Sequence, residues 1–157
     1  MKKTVIVGAL SLTLLGLGSI AQANSLSPEE QIKTRQAGYT YMGWSMEKIK
    51  AQIIDQSVAY DQAQVSAAAN TIAAIARSGM GALYGPGTDK AIGDQYTNVK
   101  PELFDNFEEV GKISARLTET SGKLVEAADS GDQAAIRVAF GSVGDTCKSC
   151  HDKFRKK

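Results

Sequence analysis

The 157-residue sequence has no marked excess of charge of either sign, with 18 Lys and Arg against 17 Asp and Glu. Its largest basic cluster is the C-terminal group Lys153, Arg155, Lys156 and Lys157. Proteins that bind nucleic acids usually carry a basic patch or stripe that meets the phosphates. The composition therefore gives no support for a nucleic-acid partner, and we expect the terminal cluster to be a solvated helix end.

Long apolar runs are absent except at the N-terminus. There, two lysines precede an apolar stretch from Thr4 to Ile20, and Ala21-Gln22-Ala23 follows it in the small-x-small pattern of a signal-peptidase site. An uncleaved membrane anchor is the alternative, but the stretch contains Thr, Ser and Gly and is short for a span, which needs about 20 apolar residues. We therefore expect residues 1–23 to be a cleaved signal peptide and residues 24–157 to form one domain without a membrane span.

Cysteine and histidine are scarce: Cys147 and Cys150 are the only cysteines, and His151 is the only histidine. A structural zinc site needs four ligands, so these three residues could form only part of one. A thioredoxin-like dithiol normally lies beside a βαβ unit, and the sequence shows no such pattern. A disulfide remains open, because two free cysteines ordinarily pair in an oxidising compartment.

The order of these three residues favours a different chemistry. The pattern Cys147-x-x-Cys150-His151 is typical of covalent haem attachment. Two thiols three residues apart on a helix face the same way and can each add to one vinyl group of a porphyrin, while the histidine is held at the iron. We predict one covalently bound haem c, attached through Cys147 and Cys150 and ligated by His151. Because no second histidine exists, no other imidazole of this chain can complete the coordination of the iron.

Apolar periodicity predicts four helices. A capping box of Ser27 and Glu30 opens the first helix, which should run from about Pro28 to Ile54. Asp61 opens the second, whose alanine-rich segment 67–76 suits either a subunit contact or close packing inside one bundle. The apolar stripe of the first helix consists of Ile32, Tyr39, Met42, Met46, Ile49 and Ile53.

The second half of the chain contains a glycine-rich crossover loop, residues 79–100, and two further helices. The third should begin near Pro101 and carry Leu103, Phe107, Val110, Leu117 and Leu124 on one face. Gly131 suits a left-handed C-cap and Asp132 an N-cap, so the third and fourth helices should be antiparallel neighbours. Both cysteines fall on the apolar stripe of the fourth helix, so the haem should be buried. The sequence thus predicts an all-α, antiparallel four-helix bundle enclosing a covalently bound haem.

Two arginines are further candidates for the site. Arg35 shares the stripe of the first helix, four residues before Tyr39. A core-facing guanidinium needs an anion, such as a haem propionate, or else the side chain snorkels to solvent. Arg155 should lie one turn after His151 on the same side of the helix, where it either borders the haem or is a solvated terminal charge.

The chain resembles the cytochrome c′ family over essentially the whole predicted mature domain. The resemblance implies that Cys147 and Cys150 carry the thioethers and that His151 is the proximal ligand. It also implies that Arg155 borders the proximal side and that Arg35 lies near a propionate. The segments that carry the resemblance are residues 147–155, Arg35-Gln36, Tyr60-Asp61 and Tyr84-Gly85-Pro86-Gly87-Thr88.

In that family, the residue four positions after the first-helix arginine stands over the open face of the iron, and here it is Tyr39. Low-spin relatives place a methionine ligand at this position, so Tyr39 implies a vacant sixth site. Tyrosine departs from the aliphatic residue of several members. The resemblance also implies that a homodimer through the first two helices is possible.

A haem iron with one histidine ligand and a vacant face suits binding of nitric oxide or carbon monoxide. We therefore expect a periplasmic haem protein that binds such gases, with nitric oxide trapping as its role and with a redox partner that the sequence does not identify. No catalytic acid, base or nucleophile accompanies the motif, so we expect no enzyme. The alternative is a low-spin electron carrier with Met42 or Met46 as sixth ligand. These lie about 4.5 Å or more beyond Tyr39 along the helix, where methionine is more often core filler.

Overall fold

The computed structural model of the chain describes residues 26–157, and the predicted signal peptide at residues 1–23 lies outside them. Consecutive helices pack side by side, and within the described residues the only β-pairing is two isolated bridges. The prediction of an antiparallel four-helix bundle is confirmed. The helices are α1 (Pro28–Ile53), α2 (Gln62–Arg77), α3 (Phe107–Ser130) and α4 (Gln133–Phe154).

The starts of α1 and α2 follow the predicted caps. The Glu30 amide donates to the Ser27 hydroxyl over 3.3 Å, and the Ser27 amide donates to the Glu30 carboxylate over 2.8 Å, which completes the capping box. The Asp61 carboxylate accepts from the Gln64 amide over 3.1 Å. Both caps satisfy amides that have no partner within the helix. The helix α1 ends at Ile53, one residue before its predicted end.

The tight turn between α3 and α4 also has the predicted chemistry. Gly131 has a φ of 74°, the left-handed conformation that glycine adopts without steric cost. The Asp132 carboxylate accepts from the amides of Ala134 and Ala135, over 2.9 and 3.1 Å. This short link makes α3 and α4 antiparallel neighbours.

The predicted start of α3 near Pro101 is wrong. Residues Pro101–Leu103 form a separate 3₁₀ turn, and α3 begins at Phe107. The Phe104 amide donates to the Pro101 carbonyl over 3.0 Å, which tightens the chain into this turn. As a result, buried Leu103 does not belong to the helix, and Phe107 at its first position is 51% exposed.

The apolar core fills one end of the bundle. Its members lie in the second halves of α1 and α3 and in the first part of α2 and of α4, which meet at the same end of an antiparallel bundle. Tyr39 is the exception on the predicted stripe of α1, because 39% of its surface is exposed. The core consists of Met42, Ile49, Ile53, Val65, Ala68, Ala69, Ile72, Leu124, Ala128, Ile136 and Val143.

The opposite end of the bundle carries the crossover loop. The loop begins with a 3₁₀ turn at Met80–Leu83, and its last part pairs with the C-terminus. The Lys100 amide donates to the Phe154 carbonyl over 2.9 Å, and the Lys156 amide donates to the Asn98 carbonyl over 2.7 Å. The C-terminal cluster is therefore joined to the loop and is not simply a solvated helix end. No helix within residues 26–157 has both the length and the apolar character of a membrane span.

Candidate haem site

The two cysteines lie one turn apart near the end of α4, and both are half-buried. Their thiols are free, so the disulfide that the sequence left open is not formed. Burial raises the pKa of both thiols. Within residues 26–157, no three His, Cys, Asp or Glu side chains converge where they could hold a metal ion. Zinc would therefore find no complete ligand set around Cys147 and Cys150 in that part of the chain.

Half-buried apolar side chains lie at the end of the bundle that carries the cysteines. The helices α1 and α4 approach each other over a much shorter length than the consecutive helix pairs do. At the loop end, Phe104, Val110 and Ile113 are only half-buried, in contrast to the fully buried core at the other end. A porphyrin held by two thioethers would cover apolar surface of this kind. The donor set and its surroundings thus fit one haem c.

Tyr39 approaches Cys150 from α1. Its hydroxyl lies 3.3 Å from the hydroxyl of Tyr84 in the crossover loop. Desolvation of the phenol raises the pKa of Tyr39, and electrostatic interaction with Tyr84 and with the Cys150 thiol raises it further. Tyr39 is therefore a neutral phenol at physiological pH, and it lies within electrostatic reach of one of the two attachment cysteines.

Arg35 is buried, with 2% of its surface exposed, so the snorkelling alternative is wrong. Its guanidinium donates to the Leu83 carbonyl (3.0 Å), to the hydroxyl (2.7 Å) and carbonyl (2.5 Å) of Thr88, and to the Thr97 hydroxyl (2.8 Å). These four bonds occupy the hydrogens of both terminal nitrogens, and only the Nε–H is left for a further acceptor. Arg35 thus ties the loop to α1, and a contact to a propionate stays a prediction for its Nε–H.

His151 and Arg155 lie at the C-terminal end of α4, and both are exposed. Desolvation of the imidazole and the positive charge of Arg155 lower the pKa of His151, which favours the neutral form that can ligate iron. The helix ends at Phe154, so Arg155 has an extended backbone and pairs with Val99. The Arg155 amide still donates to the His151 carbonyl over 3.1 Å, so Arg155 lies one turn after His151, as the sequence predicts, and caps the helix.

A surface cleft of about 470 Å³ opens beside His151, lined also by Asn98, Lys100, Asp152 and Arg155. A second cleft of about 430 Å³ lies between the crossover loop and the start of α3, where Tyr84 and Phe104 line it. The imidazole side of the site is therefore open to solvent.

The two methionines that were weighed as iron ligands lie in or against the apolar core. Met42 is 4% exposed and belongs to the core cluster, and Met46 packs against that cluster. Within residues 26–157, Met42 and Met46 contact the apolar core. This placement favours the interpretation that they fill the core and do not ligate iron.

The structure brings Arg35 and Tyr39 together near Cys150, and it places Arg155 beside His151. Sequence reasoning missed the roles of Tyr84, Thr88 and Thr97, which position Tyr39 and Arg35. The only signal for two of them was the segment Tyr84-Gly85-Pro86-Gly87-Thr88, which carried part of the family resemblance but no assigned role.

Comparison with known proteins identifies relatives that match all four helices of the chain. A family model described as Cytochrome C′ matches residues 30–155. The cytochrome c′ of Allochromatium vinosum is 57% identical over 157 residues, which is 100% of both chains.

Solved structures of the same family superpose on the bundle. One, described as a cytochrome c′ with an unusual ligand-controlled dimer dissociation, has 60% identity and a TM-score of 0.80, covering 84% of this chain and 98% of its own. A nitric oxide complex of a mutant cytochrome c′ from Alcaligenes xylosoxidans has 31% identity and a TM-score of 0.72, covering 83% of this chain and 97% of its own.

Proposed function

This chain belongs to the cytochrome c′ family, and we propose on that premise that it is a periplasmic haem protein that binds nitric oxide and carbon monoxide at a five-coordinate iron. Members of this family bind haem c. Tyr39 carries the proposal, because the family resemblance puts it in the position where low-spin relatives have a methionine ligand, and because desolvation raises the pKa of its phenol. Only a tyrosinate is a strong iron ligand, so a phenol with a raised pKa leaves the sixth position open.

When bound, a haem iron with one histidine ligand supplies an open coordination position for a diatomic gas. In this chain, Cys147 and Cys150 would hold the porphyrin and His151 would hold the iron. Arg155 favours the neutral imidazole of His151 through its positive charge. Arg35 fixes the loop that carries Tyr84 against α1. Each of these residues positions or holds a group, so we assign the chain a binding role, with nitric oxide trapping as the expected use, and not an enzymatic one.

Relatives support this proposal. The solved nitric oxide complex is that of a family member at 31% identity, and the ligand-controlled dimer dissociation is described for one at 60% identity. We propose that this chain also forms a homodimer, through the exposed face of α1. Tyr41 and Trp44 are each 53% exposed there, and their ring centroids are 5.2 Å apart. An exposed aromatic pair is typical of a protein interface.

The periplasmic location and the domain bounds are also proposals. They rest on the sequence pattern of residues 1–23, with residues 24–157 as the mature domain. Amino-terminal sequencing of the exported protein should begin at Asn24.

Optical absorption of the mature, haem-loaded protein tests the central proposal. Ferric and ferrous spectra should be high-spin and should change when carbon monoxide or nitric oxide is added. A low-spin spectrum that does not respond to either gas would instead mean that Met42, Met46 or another group occupies the sixth position, and the chain would then be an electron carrier. Haem that stays with the denatured protein would confirm covalent attachment and exclude a role for the cysteines as a redox dithiol.

A further inference from the structure

Three residues on one face of α1 meet around Tyr84 of the crossover loop. Gln31, Arg35 and Tyr39 follow one another at intervals of four and therefore share one face of α1. Each of them contacts Tyr84 or the backbone next to it. No other part of the loop is held by three residues of one helix face in this way among the contacts described above.

The backbone is held on both sides of Tyr84. Arg35 donates to the carbonyl of Leu83 over 3.0 Å, and the amide of Gly85 donates to the Gln31 side-chain oxygen over 2.9 Å. A Cβ atom at Gly85 would lie only 2.5 Å from that oxygen, so the close approach depends on glycine. The position of Tyr84 is thus fixed by its neighbours before its own side chain makes any contact.

The side chain of Tyr84 is held as well. The Arg35 guanidinium carbon lies 4.7 Å from the centre of its ring, a cation–π distance. At the far end of the ring, its hydroxyl shares a hydrogen bond of 3.3 Å with the hydroxyl of Tyr39. Either phenol can be the donor. The ring therefore links an anchored loop to Tyr39, and both phenols lie within electrostatic reach of the attachment cysteine Cys150.

We propose that Tyr84 is a positioning residue for Tyr39: it restrains the Tyr39 ring at the open face of the cofactor and thereby limits how fast a gas reaches the iron. The inference rests on the proposed function, which places Tyr39 at that face. A restrained ring occupies the space that an incoming ligand needs, whereas a ring without its hydrogen bond leaves that space more often.

The direct test compares carbon monoxide association to the ferrous haem-loaded protein and its variants. Tyr84→Phe removes only a hydroxyl and should raise the association rate about 2- to 12-fold, the range that corresponds to the net free energy of one hydrogen bond. Tyr96→Phe is the matched control, since this tyrosine lies in the same loop but is 65% exposed; it should leave the rate unchanged.

A double-mutant cycle separates positioning from a direct effect. If Tyr84 acts through Tyr39, then Tyr84→Phe should have no effect on the association rate in a Tyr39→Phe background, where the shared hydrogen bond is already absent. An effect of the same size in both backgrounds would overturn the proposal, as would equal rates for Tyr84→Phe and wild type.

A chemical readout that does not depend on gas binding completes the test. Tetranitromethane nitrates the phenolate form of tyrosine, so the hydrogen-bonded Tyr39 should react with it more slowly than the exposed Tyr41 and Tyr96, as judged by peptide mass spectrometry. Tyr84→Phe should accelerate nitration of Tyr39 alone. If wild type binds no gas but this acceleration is seen, the proposed function fails while the Tyr84–Tyr39 link stands. Unchanged nitration of Tyr39 would refute the link itself.

Discussion

At the scale of single residues, the proposal of a five-coordinate iron depends on Tyr39. Replacing Tyr39 by Met would place a thioether where the phenol faces Cys150, and thioethers ligate haem iron readily. We expect Tyr39→Met to convert the high-spin absorption spectrum towards a low-spin, six-coordinate one. Tyr41→Met is the control, because Tyr41 is 53% exposed on the same helix. A high-spin spectrum for Tyr39→Met would show that Tyr39 does not stand over the iron.

The sequence predicted some of these residues and not others, for a physical reason. Cys147, Cys150 and His151 were identifiable because a local motif defines them, and the capping residues Ser27 and Asp132 were identifiable for the same reason. The environment of Arg35 was not, because its acceptors Leu83, Thr88 and Thr97 lie 48 to 62 residues away. Periodicity places a residue on a face but does not say which distant segment will meet it.

At the scale of elements, the crossover loop depends on Arg35. Replacing it by Met keeps an unbranched, buried side chain but leaves the carbonyls of Leu83 and Thr88 and two hydroxyls without their donor. Since hydrogen bonds to a charged group contribute about 1.5–3 kcal/mol each and are not additive, we expect Arg35→Met to lower the free energy of unfolding by about 2–4 kcal/mol in urea denaturation.

Arg116→Met provides the matched control for that prediction, because Arg116 is an exposed arginine on α3. Its substitution should change the free energy of unfolding by no more than about 0.5 kcal/mol. Equal effects of the two substitutions would mean that the buried hydrogen bonds of Arg35 do not hold the loop.

The elements themselves were predictable where their ends are encoded locally. The starts of α1 and α2 and the turn at Gly131 agree with the sequence pattern. The start of α3 does not agree. Pro101 is as suitable for the first position of a 3₁₀ turn as for that of a helix, and Leu103 is buried although it lies outside the helix. The outcome there depends on the pairing of Lys100 with Phe154, which only the folded chain reveals.

At the scale of the whole molecule, the exposed aromatic pair of α1 predicts self-association. We expect the haem-loaded protein to sediment as a dimer, and Trp44→Glu to sediment as a monomer with an unchanged absorption spectrum, because it places a charge in the proposed interface. Val138→Glu is the control, since Val138 is 73% exposed but lies on α4. A dimer that survives Trp44→Glu would place the interface elsewhere.

The hydrogen bonds of Arg35 also determine where the crossover loop can change in length. The bond to Thr97 closes a loop of about 60 residues between α1 and the last part of the crossover loop, and the entropic cost of such a closure grows only with the logarithm of its length. Adding a few residues at the exposed positions Lys90 and Ala91 should therefore cost the fold little, because the anchors lie outside that stretch. The segment Leu83–Thr88, by contrast, has to keep its length, because Arg35 and Gln31 of α1 bind specific atoms of Leu83, Gly85 and Thr88. The crossover loop thus contains a stretch around Lys90 and Ala91 that should tolerate insertions, and a few residues earlier a stretch, Leu83–Thr88, that should not.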